Sequence, residues 1–414
     1  MEILNTMRYL VFVLFLLSHS VFAENEDTHN DSNSIALLLL EQQFIALHQP
    51  ESLLTAQHYW LDNQQQLANS LLSAQPRALG EIKTDQLGKD TGYQDLIIGV
   101  LLPLWWPNER FLAKHAAEEL IRWQTTQLAA QRQQLRLTLY RVGEEYVAAQ
   151  EGLHHAQLAL EHAQTLLTHV QARHDAGDLS QFDTISAMAD WQQRQQDLSM
   201  AEQVFEEKSI AFKQLTEQSA LPHISQQPVS FSAQFDSQHC ASILYKRASS
   251  AFILAQLTQA EQASTNKPEI TLASEQNRND RLSETSNRVS VSISIPLNTT
   301  AHRQQTYAQL GYELTKAQTE LAQTQREVIT QWNQYYTRFN QNSRQWQQQQ
   351  QLNKTLGQQY TMAQSAFRAG ELDLRELLRI KSAWLEGQHT AELLKYGQIF
   401  SALALKALQE DTGL

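Results

Sequence analysis

Val289-Ser290-Val291-Ser292-Ile293-Ser294-Ile295 alternates without a break between a β-branched aliphatic residue and a serine. Side chains on a strand point to opposite faces in turn, so this run predicts a strand with one apolar and one hydroxyl-lined face. The same alternation is expected of a barrel strand with lipid outside and water inside, with Val289, Val291, Ile293 and Ile295 toward lipid. Ile270-Thr271-Leu272-Ala273 predicts its neighbour, and Asn277, Asn279, Asp280, Ser283 and Asn287 between them predict a polar outer loop. Strands are expected at about 77–83, 95–104, 269–276 and 289–297. The second of these is apolar on both faces, which leaves its orientation open. A small soluble sheet would carry a similar pattern. A length of roughly 7–10 residues is also what a tilted strand needs to cross a bilayer.

The rest of the chain follows a helical pattern. No proline occurs between Pro107 and Pro222, or after Pro296. From Asn108 to Ala176 the only glycines are Gly143 and Gly152. A helix over that stretch is about 100 Å long at 1.5 Å per residue, and a rod of that length needs a packed partner. The next segment supplies it. The chain breaks at Gly177 and returns as a helix to about Leu215; it breaks again at Gly370 and returns to about Leu408. Two antiparallel hairpins are therefore expected, at about 107–215 and 300–408. Gly177 and Gly370 stand where a helix end favours a left-handed residue, and Ser180 and Asp373 stand where N-caps belong. Shorter helices are expected at Ile35–Gln49, Leu53–Leu72 and Ser242–Ala263.

These elements recur. Ala176-Gly177-Asp178-Leu179 returns as Ala369-Gly370-Glu371-Leu372, an offset of 193. Pro103-Leu104 matches Pro296-Leu297, Arg110 matches Arg303, Asp183 matches Glu376, Ile185 matches Leu378, Trp191 matches Trp384 and Gln195 matches Gln388 at the same offset. A gap-free register over a hundred residues marks a tandem repeat. The halves run at about 24–222 and 223–414, joined by a linker from Leu221-Pro222 to Gln227-Pro228. The first 23 residues stand apart. Arg8, an apolar run from Tyr9 to Leu17, and Val21-Phe22-Ala23 read as a cleaved export signal. An uncleaved anchor is the rival reading, but the apolar run is too short to span a bilayer. No later stretch is long enough either, so membrane insertion would have to be by β-barrel. Four strands cannot close one, since the smallest membrane barrels use eight, so several copies would share it.

Composition narrows the function. Of 414 residues, 44 are acidic and 32 basic, a net charge of -12 that argues against nucleic acid as a partner. Gln accounts for 56 residues, against 13 Gly and 8 Pro, as long helices with little turn chemistry require. One cysteine, Cys240, excludes an internal disulfide or thiolate metal cluster and reads as a small apolar residue on a helix. There is no phosphate-binding Gly loop, nucleophile elbow or HExxH, so no enzyme activity, cofactor or metal site is expected. His155, His162 and His169 recur every seven residues. Steps of about 10.5 Å are too long for neighbours to share a metal, and the stripe reads as a solvated coiled-coil face.

With two halves in strand–strand–long-helix–helix order, the chain resembles the TolC family of outer-membrane efflux proteins. Its hairpins turn at R-x-x-x-G-x-x-x-x-x-[DE], here Arg173 through Gly177 to Asp183, and Ala366 through Gly370 to Glu376, with Ala366 in the arginine position. Leu104-Trp105-Trp106-Pro107-Asn108-Glu109-Arg110 also resembles the Trp-Pro-Gly-Lys-Arg run of the heavy-metal, CzcC-like branch, with Asn and Glu replacing Gly and Lys. The resemblance implies a mainly α fold with a small β-barrel portion. It implies a homotrimer with one shared 12-stranded barrel in the outer-membrane lipid and a periplasmic helical tunnel. It further implies docking of a periplasmic adaptor and an inner-membrane pump. The docking tips would be Gly177, Asp178, Leu179 and Ser180, with Gly370, Glu371, Leu372 and Asp373. Asp183, Glu376 and Arg379 would form the periplasmic gate. A periplasmic adaptor and a soluble coiled-coil scaffold are the competing readings. An adaptor normally has one hairpin, and a scaffold leaves Val289–Ile295 without a purpose. The exported compound stays open.

Overall fold

The structure, a computed structural model, describes residues 29–49, 51–85, 92–222, 230–262, 267–279, 284–296 and 300–409. Residues 1–23, expected from the sequence to be an export signal, and most of the expected linker lie outside them. The first repeat comprises α1 (His29–His48), α2 (Glu51–Asn69), β1 (Arg77–Thr84), β2 (Gln94–Pro103), α3 (Glu109–Asp175) and α4 (Gln181–Thr216). The second comprises α5 (Ala241–Gln262), β3 (Glu269–Arg278), β4 (Ser286–Ser294), α6 (Thr300–Ala369) and α7 (Leu374–Gln409). The hairpins α3–α4 and α6–α7 stand where the proline-free stretches place them. The last strand starts and ends about three residues earlier than expected, so Ile295 lies just past its end.

The long helices pack through small residues. On α3 the buried positions include Ala113, Ala116, Ala117, Ala129, Ala149, Ala156, Ala159 and Ala163. Alanine lets neighbouring helices approach closely, and α4, α5 and α7 all lie against α3. Larger side chains gather where more than two helices meet. Leu40 and Phe44 of α1 join Leu139, Tyr140, Tyr146 and Val147 of α3, Phe212 of α4, and Phe400 and Leu403 of α7 in one cluster. A second unites Cys240 and Ile243 with Val328, Trp332, Leu405 and Leu408. Cys240 is buried in that cluster but is not a helix-interior residue. It stands just before α5, where its carbonyl accepts the first helical bonds from Ile243 and Leu244. Beside it Gln133 is buried with its amide satisfied. Nε2 donates to the Ala407 carbonyl at 2.9 Å, and Oε1 accepts from the Ser242 N–H and Oγ at 3.1 and 2.7 Å. One side chain thus ties α3, α5 and α7 at the cost of no orphaned polar atom.

The strands form one antiparallel sheet in the order β1-β2-β3-β4. The β2–β3 pairing joins the two repeats, with Val100 opposite Leu272. On the other side Val291 is opposite Leu272 and Ile293 opposite Ile270. Among the described residues, strands β1 and β4 pair on one side only.

Candidate functional site

Three regions of the molecule carry features that packing alone does not require: one face of the sheet, the strand-to-helix junction and the hairpin tips.

The pairing register assembles the first. Ile82, Leu96, Ile98, Val100, Ile270, Leu272, Val289, Val291 and Ile293 share a single face. Most are well exposed: Ile82, Ile98, Val289, Val291 and Ile293 are each at least 60% accessible, and Ile295 beyond them is 61% exposed. An apolar face of this continuity marks an interaction surface rather than scattered exposed side chains. The opposite face carries Arg77, Glu81, Lys83, Asp95, Thr271, Glu275, Asn277, Arg288, Ser290, Ser292 and Ser294. This register resolves the strand whose sequence is apolar on both sides. Leu96, Ile98 and Val100 point with the exposed set, while Ile97 is buried among the polar face's residues.

At the junction, Asn108 precedes α3 with φ 66° and ψ -16°. This is the left-handed region, which glycine enters freely and asparagine tolerates best among other residues. The replacement of glycine by Asn108 is therefore physically mild. Glu109 is 1% exposed and meets Lys267, whose Nζ also lies 5.7 Å from the centre of the Trp105 ring. Glu109 also accepts a bond from the Trp106 N–H at 3.1 Å. The indole N–H of Trp105 donates to the Ser70 carbonyl at 3.1 Å, and Arg110 donates to the Asn69 carbonyl at 2.6 Å. The run Trp105–Arg110 thereby clamps α2, the sheet and the start of α3 together.

The tips are built alike. Gly177 and Gly370 take φ of 85° and 80°. At the first, the Asp178 N–H donates to the Arg173 carbonyl at 2.9 Å and Gly177 to His174 at 2.8 Å. At the second, Glu371 donates to Ala366 at 2.9 Å and Gly370 to Phe367 at 3.1 Å. Both are Schellman closures, matched bond for bond at the repeat offset. Leu179 and Leu372 turn inward onto a cluster of Val170, Ala187, Ala363, Phe367, Leu374, Leu377 and Ile380, while Asp178, Ser180, Glu371 and Asp373 are exposed. Arg173 explains why the second copy manages without its arginine. Its Nη1 crosses to the Phe367 carbonyl at 2.8 Å and its guanidinium lies 5.3 Å from the Phe367 ring centre, so one arginine secures both tips. We expect Gly177→Val and Gly370→Val each to disrupt the turn, because a β-branched residue resists positive φ. Limited proteolysis at the tip should speed up in each variant, and unchanged cleavage would mean the turn tolerates the strain.

The acidic residues beyond the tips have distinct local roles. Asp183 belongs to a capping box: Ser180 Oγ donates to its Oδ2 at 2.7 Å, and its own N–H returns to Ser180 Oγ at 3.3 Å. Asp373 caps α7 by accepting the Glu376 N–H at 2.7 Å. Glu376 and Arg379 pair with each other along α7, through bonds of 2.9 and 2.5 Å, rather than between helices. The Arg379 hydrogen bond holds the Glu376 carboxyl below its usual range.

Two of the three stripe histidines depart from the expected solvated face, whereas His169 is exposed. His155 and His162 are half-buried against α7, where His155 stacks on His389 at 4.6 Å and His162 meets Trp384 edge-on. Burial, above all, lowers both pKa values. No cluster of three metal-ligating side chains occurs among the described residues. Sequence reasoning missed Lys381. It is 5% exposed and occupies a core position in line with Leu374, Leu377 and Leu385. A lysine at an apolar helical spacing was the signal available.

No protein-family model matches the chain, and no curated protein matches it by sequence. Solved structures do match its fold. CusC superposes with a TM-score of 0.70 at 15% identity, covering 94% of this chain and 95% of that one. The outer membrane protein VceC from Vibrio cholerae gives 0.67 at 14% identity, over 90% and 96% of the two chains. The outer-membrane channel OprN gives 0.67 at 15% identity, over 90% of each. The chain therefore has the TolC-like fold of outer-membrane channels, helical with a small antiparallel sheet; the CzcC-like branch is not singled out.

Proposed function

We propose that this chain with a TolC-like fold is the outer-membrane channel subunit of a tripartite export system. It acts as a passive homotrimeric conduit, served by a periplasmic adaptor and an inner-membrane pump. The observation that carries this reading is the sheet. One face is apolar and exposed, the other polar, and the edges β1 and β4 have no partner strand on their outer side among the described residues. Four strands cannot close a barrel, and an exposed strand edge is a template for another copy. Three copies joined β4 to β1 would make twelve strands with lipid outside and a wet lumen. The likeness in fold to outer-membrane channels supports the same reading. In it Val289, Val291, Ile293 and Ile295 face lipid, the export signal delivers the chain across the inner membrane, and the two tips dock the adaptor. The periplasmic adaptor and soluble scaffold readings leave the apolar sheet face without an occupant.

The test is fractionation followed by unheated electrophoresis in detergent. A subunit of this kind travels with outer membranes and runs as a trimer that collapses to monomer on boiling. A freely soluble monomer would overturn the proposal.

Within this reading Glu376 and Arg379, repeated around the three-fold axis, form the gate, with Asp183 holding the neighbouring return helix in place through its cap. We expect Glu376→Ala with Arg379→Ala to raise single-channel conductance in planar bilayers. Conductance and cation block equal to those of the unaltered protein would leave the pair as surface charge.

A further inference from the structure

A cavity of about 290 Å³ lies between α3, α6 and α7, close to the tips. Its charged lining residues are Arg173, Arg368 and Lys381, with His162 and His169 beside them and no Asp or Glu among the described lining residues. Tyr360 and Phe367 add aromatic surface. Lys381 is only 5% exposed, and among the described residues no hydrogen bond or ion pair engages it. Asp190 on α4 pulls the other way on Lys381 without forming an ion pair with it, and Arg194 works against that pull. An ammonium on a side chain this buried, with no hydrogen-bonded partner, is costly, and two guanidinium groups lining the same cavity raise the cost. An anion in the cavity would relieve both. Nothing in the export reading uses Lys381 or Arg368, and Arg173 serves it only by securing the tips.

We propose that the cavity binds a small organic carboxylate. Its charge is held by Lys381 with Arg173 and Arg368, and its apolar body lies against Tyr360 and Phe367. Arginine forks suit a carboxylate in two-bond geometry, and lysine supplies a point charge. A ligand there bridges α3 of the first repeat to α6 and α7 of the second, at the level where the tips are secured to each other.

The test is calorimetric titration of the purified full chain in detergent with benzoate, at constant ionic strength, with inorganic phosphate and benzylamine as comparison probes. The expected result is saturable benzoate binding that weakens about tenfold or more in Lys381→Met, as loss of a charge-assisted contact predicts. Arg368→Gln, at the exposed rim, should weaken it less. Binding should also weaken at about pH 9.5, where Lys381 loses its proton before the arginines do. Benzylamine should not bind. Absence of saturable benzoate binding, or equal affinity in Lys381→Met, overturns the proposal. Phosphate binding as tightly as benzoate overturns its organic part, because the aromatic wall would then contribute nothing. The titration needs neither membrane nor pump, so its failure is distinct from failure of the channel assignment.

Discussion

On the proposed channel reading, Val291→Arg should destabilise the membrane-inserted protein by about 2–4 kcal/mol, while Ser292→Arg should be tolerated much better. The two residues are adjacent, in one strand, at the same depth; they differ only in which face they occupy. Val291 is 66% exposed in the single chain and pairs with Leu272, beside Val100 on the next strand. Arginine there would have to leave its guanidinium in hydrocarbon or drag water toward it. Ser292 pairs with Thr271 on the face that also carries Arg77, Lys83 and Arg288, where an added cation meets water. Urea unfolding of each variant in lipid vesicles, followed by the loss of the unboiled oligomer on a gel, reads the difference. Equal losses for the two substitutions would refute the assignment of faces.

Lys381→Met should make the protein more stable at neutral pH by roughly 3 kcal/mol, since each unit of pKa shift corresponds to about 1.36 kcal/mol. Burial, the dominant cause, lowers the lysine from 10.5 to about 8, against a weaker opposing pull from Asp190. The sign follows from which state prefers the proton. The unfolded chain holds it up to about pH 10.5 and the folded one only to about 8. Folding therefore carries its full penalty below about pH 8, and the penalty fades as pH rises from there toward 10.5. Methionine keeps the side chain's length and removes the charge. Unfolding followed at neutral and alkaline pH should show the parent chain gaining on the variant as pH rises, with the gap largest at neutral pH. A variant no more stable than its parent at neutral pH would mean that Lys381 is solvated or paired after all. Such a cost in a core position is what a binding role predicts, because local rules are broken most often where function needs them broken.

Periodicity and turn chemistry were enough to read the elements. A stretch without proline and nearly without glycine can do little but form a helix; the 67-residue helix runs through Gly143 and Gly152 and ends just before Gly177, where φ turns positive. The repeat offset could be read because both halves keep the same turn at the same spacing, down to identical backbone closures at Gly177 and Gly370. The alternation in Val289–Ile295 likewise exposed its two faces, since side chains on a strand have a period of two. These are local properties, and local sequence specifies them.

What depended on partners distant in the chain could not be read that way. Residues 95–104 are apolar on both sides, and only their pairing with β1 and β3 places Leu96, Ile98 and Val100 on the exposed face. His155 and His162 look like a solvated stripe until α7 closes over them. Arg173 reads as a turn residue, yet its bond runs 194 positions along the chain to Phe367. Lys381 shares the helical spacing of Leu374, Leu377 and Leu385, but only the fold brings Arg173 and Arg368 to the same cavity. The sequence alone determined the repeat, the hairpins and the strand alternation, because each follows from backbone geometry over a few neighbouring residues. The tertiary structure alone decided burial and charge environment, because both depend on which distant helices exclude water from a given side chain.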